Sequence, residues 1–411
     1  MKRLKTFFFL LCCLPFAACD KEEPSVLPQK DILSLDEAAE QIGLPGQQFA
    51  FDLIHKIAQN AEQENILLSP YSILSTLNMA YNGANGSTKD AMAKVLKQRN
   101  LSLSQLNSGY KVIREYLSKQ RSGIRFQAAN GAFWDNNKVE PFEEFLDRLA
   151  INYDAEANQL DFSQPAAVET INDWVKSKTE DKIYQIIENI PLEESLFLVN
   201  APYFQGEWWK PFPRATIEEA HFFPQGQDEP LEVPFMWQDD RHFFYEGEDF
   251  TAVDLPFADT SAFTMTMLMP REEQTLLDFI GAFNAEDLQK LYDEQLRLDR
   301  VLLRMPLFEL SYKINLRDVL SELGMEKAFS NTDANFSQLS STSSNIHLTR
   351  VKHQTYLNIN DAGADGTQSA PVPPTDGSNL PTVLSFERPF LILLRDKKTN
   401  AIVFIGQIAQ P

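Results

Sequence analysis

The chain has 411 residues, 43% of them apolar and 11% aromatic, which is enough to fill a large hydrophobic core and too apolar for a disordered protein. Its 37 Lys and Arg stand against 58 Asp and Glu, a formal charge of -21 that argues against nucleic acid as a partner. All three cysteines, Cys12, Cys13 and Cys19, lie at the N-terminus, so the rest of the chain can form neither an internal disulfide nor a thiolate metal site.

In chain order, Lys2, Arg3 and Lys5 precede an apolar run from Phe7 to Phe16 and the small residues Ala17-Ala18, the pattern of a secretory signal over residues 1–18. That run is too short to span a bilayer. Phe16-Ala17-Ala18-Cys19 resembles the lipobox of bacterial lipoproteins. The resemblance implies cleavage before Cys19, acylation of Cys19 and a lipid anchor at the outer membrane or cell surface; ordinary secretion is the alternative. Several acyl chains, at about 0.8 kcal/mol per buried CH₂, hold a protein where a single chain is marginal. Asp20-Lys21-Glu22-Glu23 resembles the acidic tract that sends some lipoproteins to the cell surface, and reads equally well as a solvated linker. Residues 19–46, with Pro, Gly and acids and a weak apolar period at Ile32, Leu35 and Ile42, are expected to be a tether with a short helix.

From residue 47 to 411 no linker or repeat interrupts the chain, which reads as one domain. Phe49, Leu53, Ile54 and Ile57 keep helical spacing, and Ser69-Pro70 reads as an N-cap followed by a first-turn proline. Ser87 with Asp90 predicts a capping box for the next helix. The runs Phe126–Trp134, Leu196–Phe204, Ala252–Pro256, Phe263–Met269, Val301–Tyr312, Val351–Asn360, Leu391–Arg395 and Ile402–Ile408 predict strands. So many strands without regular helix alternation point to an α+β fold with antiparallel or mixed sheets.

The sequence contains no zinc-protease, nucleophile-elbow, phosphate-loop, dinucleotide or calcium-loop motif, so no catalytic residue, metal or cofactor is assigned. The five histidines, His55, His221, His242, His347 and His353, are scattered and default to structural or surface roles. Lys111, Arg114, Lys119 and Arg121 form a basic stretch that reads as a solvated helix face rather than a polyanion site.

Asn65-Ile66-Leu67-Leu68-Ser69-Pro70-Tyr71-Ser72-Ile73 and Gly83-Ala84-Asn85-Gly86 resemble the signature of the serpin family. The likeness recurs in order at Ala129-Asn130, Ile171-Asn172-Asp173-Trp174, Leu198-Val199-Asn200-Ala201-Pro202-Tyr203-Phe204, Asp254-Leu255-Pro256-Phe257, Phe386-Glu387-Arg388-Pro389-Phe390 and Phe404-Ile405-Gly406. It implies a single domain with three β-sheets, about nine helices and an exposed reactive-centre loop. The resemblance further implies that a target endopeptidase cleaves the loop, that the loop then enters the main sheet as an extra strand, and that the protein is not itself an enzyme. The resemblance assigns Ser69, Ser72, Asn200 and His353 to the shutter, a buried polar cluster where the sheet must open. Read without it, they are a capping serine, a helix serine, a strand-end asparagine and a lone strand histidine.

Residues 361–381 carry little bulk apart from Val372 and Leu380 and read as a long exposed loop. By the resemblance Asp361, Gly363 and Ala364 form its hinge, with Gly366, Gln368 and Ala370 following two apart on one side of the inserted strand. Counting from Gly363 places the scissile bond at Gly377–Ser378, and counting back from Phe386 places it at Ser378–Asn379. Small residues there suit an elastase-like or subtilisin-like protease; Asp376 is the weaker candidate. Three departures stand out. Pro371, Pro373 and Pro374 lack N–H donors where the inserted strand needs them. Ala362 and Ala364 replace a glutamate and a threonine. Leu307 replaces a lysine that usually pairs with the hinge acid, here Asp361, so the top of the sheet is expected to be looser. The domain is expected to be a monomer.

Overall fold

The computed structural model describes residues 32–61, 63–258, 262–341, 346–365 and 381–411. Cys19, the loop residues Gly366, Gln368 and Ala370, the three loop prolines and the scissile-bond candidates Asp376, Gly377, Ser378 and Asn379 lie outside these.

Two sheets enclose the core. One has six strands in the order Phe308–Asn315, Lys352–Asn360, Gly363–Ala364, Leu196–Glu207, Ile124–Asp135 and Ala155–Leu160. Burial alternates along Lys352–Asn360, with His353, Thr355, Leu357 and Ile359 turned inward, as a strand covered more heavily on one face requires. A second hydrogen-bonded path joins nine strands, and its buried heart, Phe390–Asp396 and Ile402–Ile408, is covered on both faces, hence the unbroken apolar runs. Leu231–Glu246, sixteen residues long, pairs with three different strands and so merges the second and third of the expected sheets into that path.

Helix Pro70–Gly83 is buried at every position, its polar side chains included. Asn78 and Asn82 answer that burial by donating to the carbonyls of Leu74 and Asn78 one turn back. On the opposite face of the six-stranded sheet, helix Pro165–Lys178 and the segment after it form a second apolar cluster in which Ile171, Val175, Ile183 and Ile187 join Phe133, Phe197, Val199 and Ala201. Any strand added between Lys352–Asn360 and Leu196–Glu207 therefore lies between the main core and this second cluster.

Some local expectations change. Residues 32–46 are mostly helical, and Leu33, Ala38, Ala39 and Ile42 are buried, so packing begins well before residue 47. The next helix start is capped by Asn85, whose Oδ1 accepts from the Gly86 N–H, rather than by Ser87. The run Val301–Tyr312 is two strands, Arg297–Pro306 and Phe308–Asn315, in different sheets; Pro306 lacks the N–H that a continuous ladder would use.

Candidate functional site

At the top of the six-stranded sheet the chain leaves strand Lys352–Asn360, turns, and sends Gly363 and Ala364 back between that strand and Leu196–Glu207. Gly363 faces Glu207 and Asn360, and Ala364 faces Gly206 and Ile359. The turn is built locally by Asn360, whose Oδ1 accepts from the N–H groups of Ala362 at 2.9 Å and Gly363 at 3.2 Å. Trp208 straddles it: its indole N–H donates to the Asn360 carbonyl and its backbone N–H to that of Ala362. Gly363 has φ +147°, and a Cβ there would lie 1.9 Å from the carbonyl oxygen of Gly206. Only glycine fits that approach. Ala364 is fully buried in the main core, and the buried Ala362 precedes the entry. Small side chains at both positions suit a two-sided fit.

Asp361 has a cationic partner even without a lysine at residue 307. Arg214 Nε donates to Asp361 Oδ2 at 3.0 Å, taking the place left by Leu307, and the Asp361 carbonyl accepts from the N–H of Phe212. Leu307 packs against the core. The replacement was hidden in the sequence because Arg214 is 147 residues from Asp361.

Asp365 is the last described residue before the loop, with φ +49°. Its N–H donates to the Asn358 carbonyl at 2.7 Å, which continues the register begun by Ala364 and Ile359. Its carboxylate accepts from Lys182 Nζ at 3.0 Å and from the Tyr203 hydroxyl at 2.9 Å, and its carbonyl accepts from the side-chain amide of Gln205 at 3.1 Å. Burial works against the Lys182 charge, but Asp365 and Tyr356 more than offset it and leave Lys182 above its ordinary pKa. The Tyr203 hydroxyl is pushed up by burial and by the carboxylate of Asp365.

Lower in the sheet, the four expected shutter residues fall into two linked groups. His353 is buried, and its Nε2 accepts from the N–H of Ser69 at 2.9 Å, so the ring is neutral; burial holds its pKa down to about 3. Asn200 Nδ2 donates to Asn130 Oδ1 at 2.7 Å, the same oxygen that accepts from Ser75 Oγ, and Asn130 Nδ2 donates to the Tyr153 carbonyl at 2.7 Å. Ser69, Ser72 and Ser75 stand one helical turn apart, so Ser72 lies between the two groups. Among the described residues the buried Ser69 Oγ, Ser72 Oγ and Asn200 Oδ1 have no hydrogen-bond partner. Ser69 starts its helix without using its hydroxyl as a cap. Asn130 and Ser75 are members that residue reading passed over, although Ala129-Asn130 carried part of the resemblance.

Of the basic stretch, Arg114 is engaged by Glu115 and Asp154, and Arg121 by the carbonyls of Tyr116 and Leu117. Among the described residues no group of three or more His, Cys, Asp or Glu side chains could hold a metal ion, and no helix is long and apolar enough to cross a membrane.

Comparison with known proteins agrees with this architecture. The structure is similar to the thermophilic serpin tengpin in its native state, with TM-score 0.83 and 26% identity over 90% of this chain and 95% of that one. The match to the latent state of tengpin is lower, at 0.76 with the same identity, over 90% of this chain and 97% of that one. In sequence the chain is 29% identical to a serine protease inhibitor of Rattus norvegicus over 374 residues, covering 88% of this chain and 87% of that protein. It is 25% identical to a serpin-like protein of Methanosarcina acetivorans over 429 residues, covering 100% and 99%. The family model described as serpin (serine protease inhibitor) matches residues 46–411, and the chain belongs to that family.

Proposed function

We propose that the protein is a suicide inhibitor of serine endopeptidases with shallow, elastase-like or subtilisin-like pockets, and of papain-like cysteine proteases as a wider class. The observation that carries this reading is the seating of Gly363 and Ala364 as the first two residues of a new strand between Leu196–Glu207 and Lys352–Asn360. In the proposed reaction the protease hydroxyl attacks the carbonyl carbon at Gly377 or Ser378, the peptide C–N bond breaks, and the new amino group leaves with a proton. The loop, still esterified to the protease, follows Ala364 into the sheet before water completes hydrolysis. The catalytic residues belong to the target, and no cofactor enters. Acylated Cys19 would anchor the chain, a monomer, at the outer membrane or cell surface after export across the inner membrane.

Incubation with an elastase-like protease should give a covalent complex that survives SDS, and mass spectrometry of the released C-terminal peptide should place the cut at Gly377–Ser378 or Ser378–Asn379. Cleavage with no complex and no gain in heat stability would sink this reading. A second reading rests on Pro371, Pro373 and Pro374, whose missing N–H groups leave carbonyls unanswered at about 1–3 kcal/mol each. It makes the protein a non-inhibitory scaffold whose loop is merely a substrate. Complex formation that appears only after those prolines are replaced by alanine supports it.

A further inference from the structure

We infer that Asp365 is a latch that stops the loop after two inserted residues and sets the rate at which the rest can follow. The inference rests on the insertion reading above. The register gives the reason. Gly363 and Ala364 pair with Asn360 and Ile359 on one side, so Asp365 falls opposite Asn358, and its N–H already makes that ladder bond. In a hydrogen-bonded antiparallel pair both bonds are exchanged, so a continuing strand would turn the Asp365 carbonyl toward the Asn358 N–H. Instead Asp365 has φ +49°, and its carbonyl is taken by the Gln205 side chain. Gln205 is also the residue opposite Asp365 on the other strand, one step along from Gly206.

The side chain secures that left-handed turn. Lys182 and Tyr203 reach the two carboxylate oxygens separately, and Lys182 is also held from behind by the Tyr356 ring. Lys182 sits 4.9 Å from the centre of the Tyr356 ring, and the Tyr203 hydroxyl lies 3.2 Å from Glu180, which Arg125 engages in turn. Lys182 belongs to the segment that follows helix Pro165–Lys178 across the sheet, so the latch ties the loop to the structure it must pass. Insertion beyond Ala364 requires Asp365 to become extended, the Gln205 amide to let go and the carboxylate to shift against both donors. Aspartate tolerates a positive φ better than most residues, and the Gln205 amide and the two carboxylate donors fix it there.

The test uses the full chain and the variants Lys182→Met, Asp365→Ala and Lys182→Arg. After the loop is cut by an elastase-like protease, insertion is followed by stopped-flow tryptophan fluorescence, because Trp208 bonds to the hinge turn, and by the later gain in heat stability. Lys182→Met and Asp365→Ala should insert about tenfold faster than wild type or more, as expected when charge-assisted bonds leave the starting state, with Lys182→Arg close to wild type. In the intact protein the amide of residue 365 should exchange about tenfold faster in the two unlatched variants. If cleaved wild type gains heat stability but the variants insert and exchange within twofold of it, the latch is overturned while the insertion reading stands. If cleaved wild type gains no heat stability, both fall together.

Discussion

The top and the middle of the six-stranded sheet manage buried polar groups in opposite ways. At the top, Asp361 and Asp365 each have a cationic partner, and the backbone of residues 361–365 is tied by Trp208, Phe212, Asn360 and Gln205. In the middle, the buried groups are a neutral imidazole, hydroxyls and amides, and three of their oxygens have no partner among the described residues. Charge-assisted bonds raise the cost of leaving one arrangement, whereas neutral groups with spare bonding capacity can be re-satisfied by a new neighbour. The contrast suits a sheet whose entrance is fastened and whose centre is ready to accept another strand.

The largest expected effect tests whether the entrance is held by fit as well as charge. Gly363→Ala would put a Cβ against the Gly206 carbonyl at a φ that alanine rarely takes, so the two-residue strand should be expelled. Stability in chemical denaturation should drop by about 2–4 kcal/mol. Hydrogen exchange at the Trp208 and Phe212 amides, which donate to Ala362 and Asp361, should speed up. Unchanged protection at both amides would show that the entrance tolerates a side chain at residue 363.

The middle should respond to acid through His353, and the nine-stranded path through His242 on Leu231–Glu246. His353 has a folded pKa of about 3 and His242 one of about 4, both lowered first by burial from an ordinary 6.5. Between those values and 6.5 the unfolded chain binds a proton that the folded one refuses. Each histidine's contribution is therefore complete above pH 6.5 and declines as pH falls toward the folded pKa, at about 1.4 kcal/mol per pH unit. Between pH 6.5 and 5 that is about 2 kcal/mol for each histidine. The buried carboxyls of Glu194 and Asp396, raised by burial, act with the opposite sign, so the quantity to measure is a difference between variants. His353→Gln keeps an acceptor for the Ser69 N–H but cannot titrate, and it should flatten the acid loss by one histidine's share. An identical pH dependence in wild type and variant would show that residue 353 charges without penalty.

How much of this was legible in the sequence depends on whether a feature is local or assembled. Ile402–Ile408 and helix Pro70–Gly83 are continuous apolar or motif-bearing segments, and residue order alone located them. The hinge glycine and the shutter residues came through the family resemblance, since a lone strand histidine and a helix serine carry no signal of their own. Arg214, Lys182, Tyr203 and Gln205 stayed hidden because each meets the hinge across more than 140 residues of chain. The strand Leu231–Glu246 was missed because its alternation shifts phase between Phe235 and Met236 and its inward positions include the polar Gln238, Asp240 and His242, which blurs the two-residue period of hydropathy.

A smaller effect separates the used from the unused hydroxyls. Ser75→Ala removes a donor to Asn130 and should cost about 1 kcal/mol. Ser72→Ala removes a buried hydroxyl that has no partner among the described residues, and should leave stability unchanged or raise it by up to about 1 kcal/mol. Chemical denaturation of the two variants side by side decides the matter. A larger loss at Ser72 would mean that its hydroxyl is already bonded in the closed sheet.

The smallest effect is expected at Arg214, for a reason that distinguishes the two acids of the entrance. The Arg214 side chain is 67% exposed and the Asp361 side chain 11%, so removing the arginine lets water reach the carboxylate from the side that Arg214 covered. Arg214→Ala should then cost less than about 1 kcal/mol, and less still at high salt. In the Lys182–Asp365 pair the two side chains are 31% and 18% exposed, and Tyr203 shares the carboxylate, so solvent replaces less of what is lost. Denaturation of Arg214→Ala and Lys182→Met at low and high salt compares the pairs directly. Equal losses that vanish together with salt would mean both acids are held by surface charge alone. The two-residue entry would then owe its place to Gly363 and the backbone ladder rather than to Asp365.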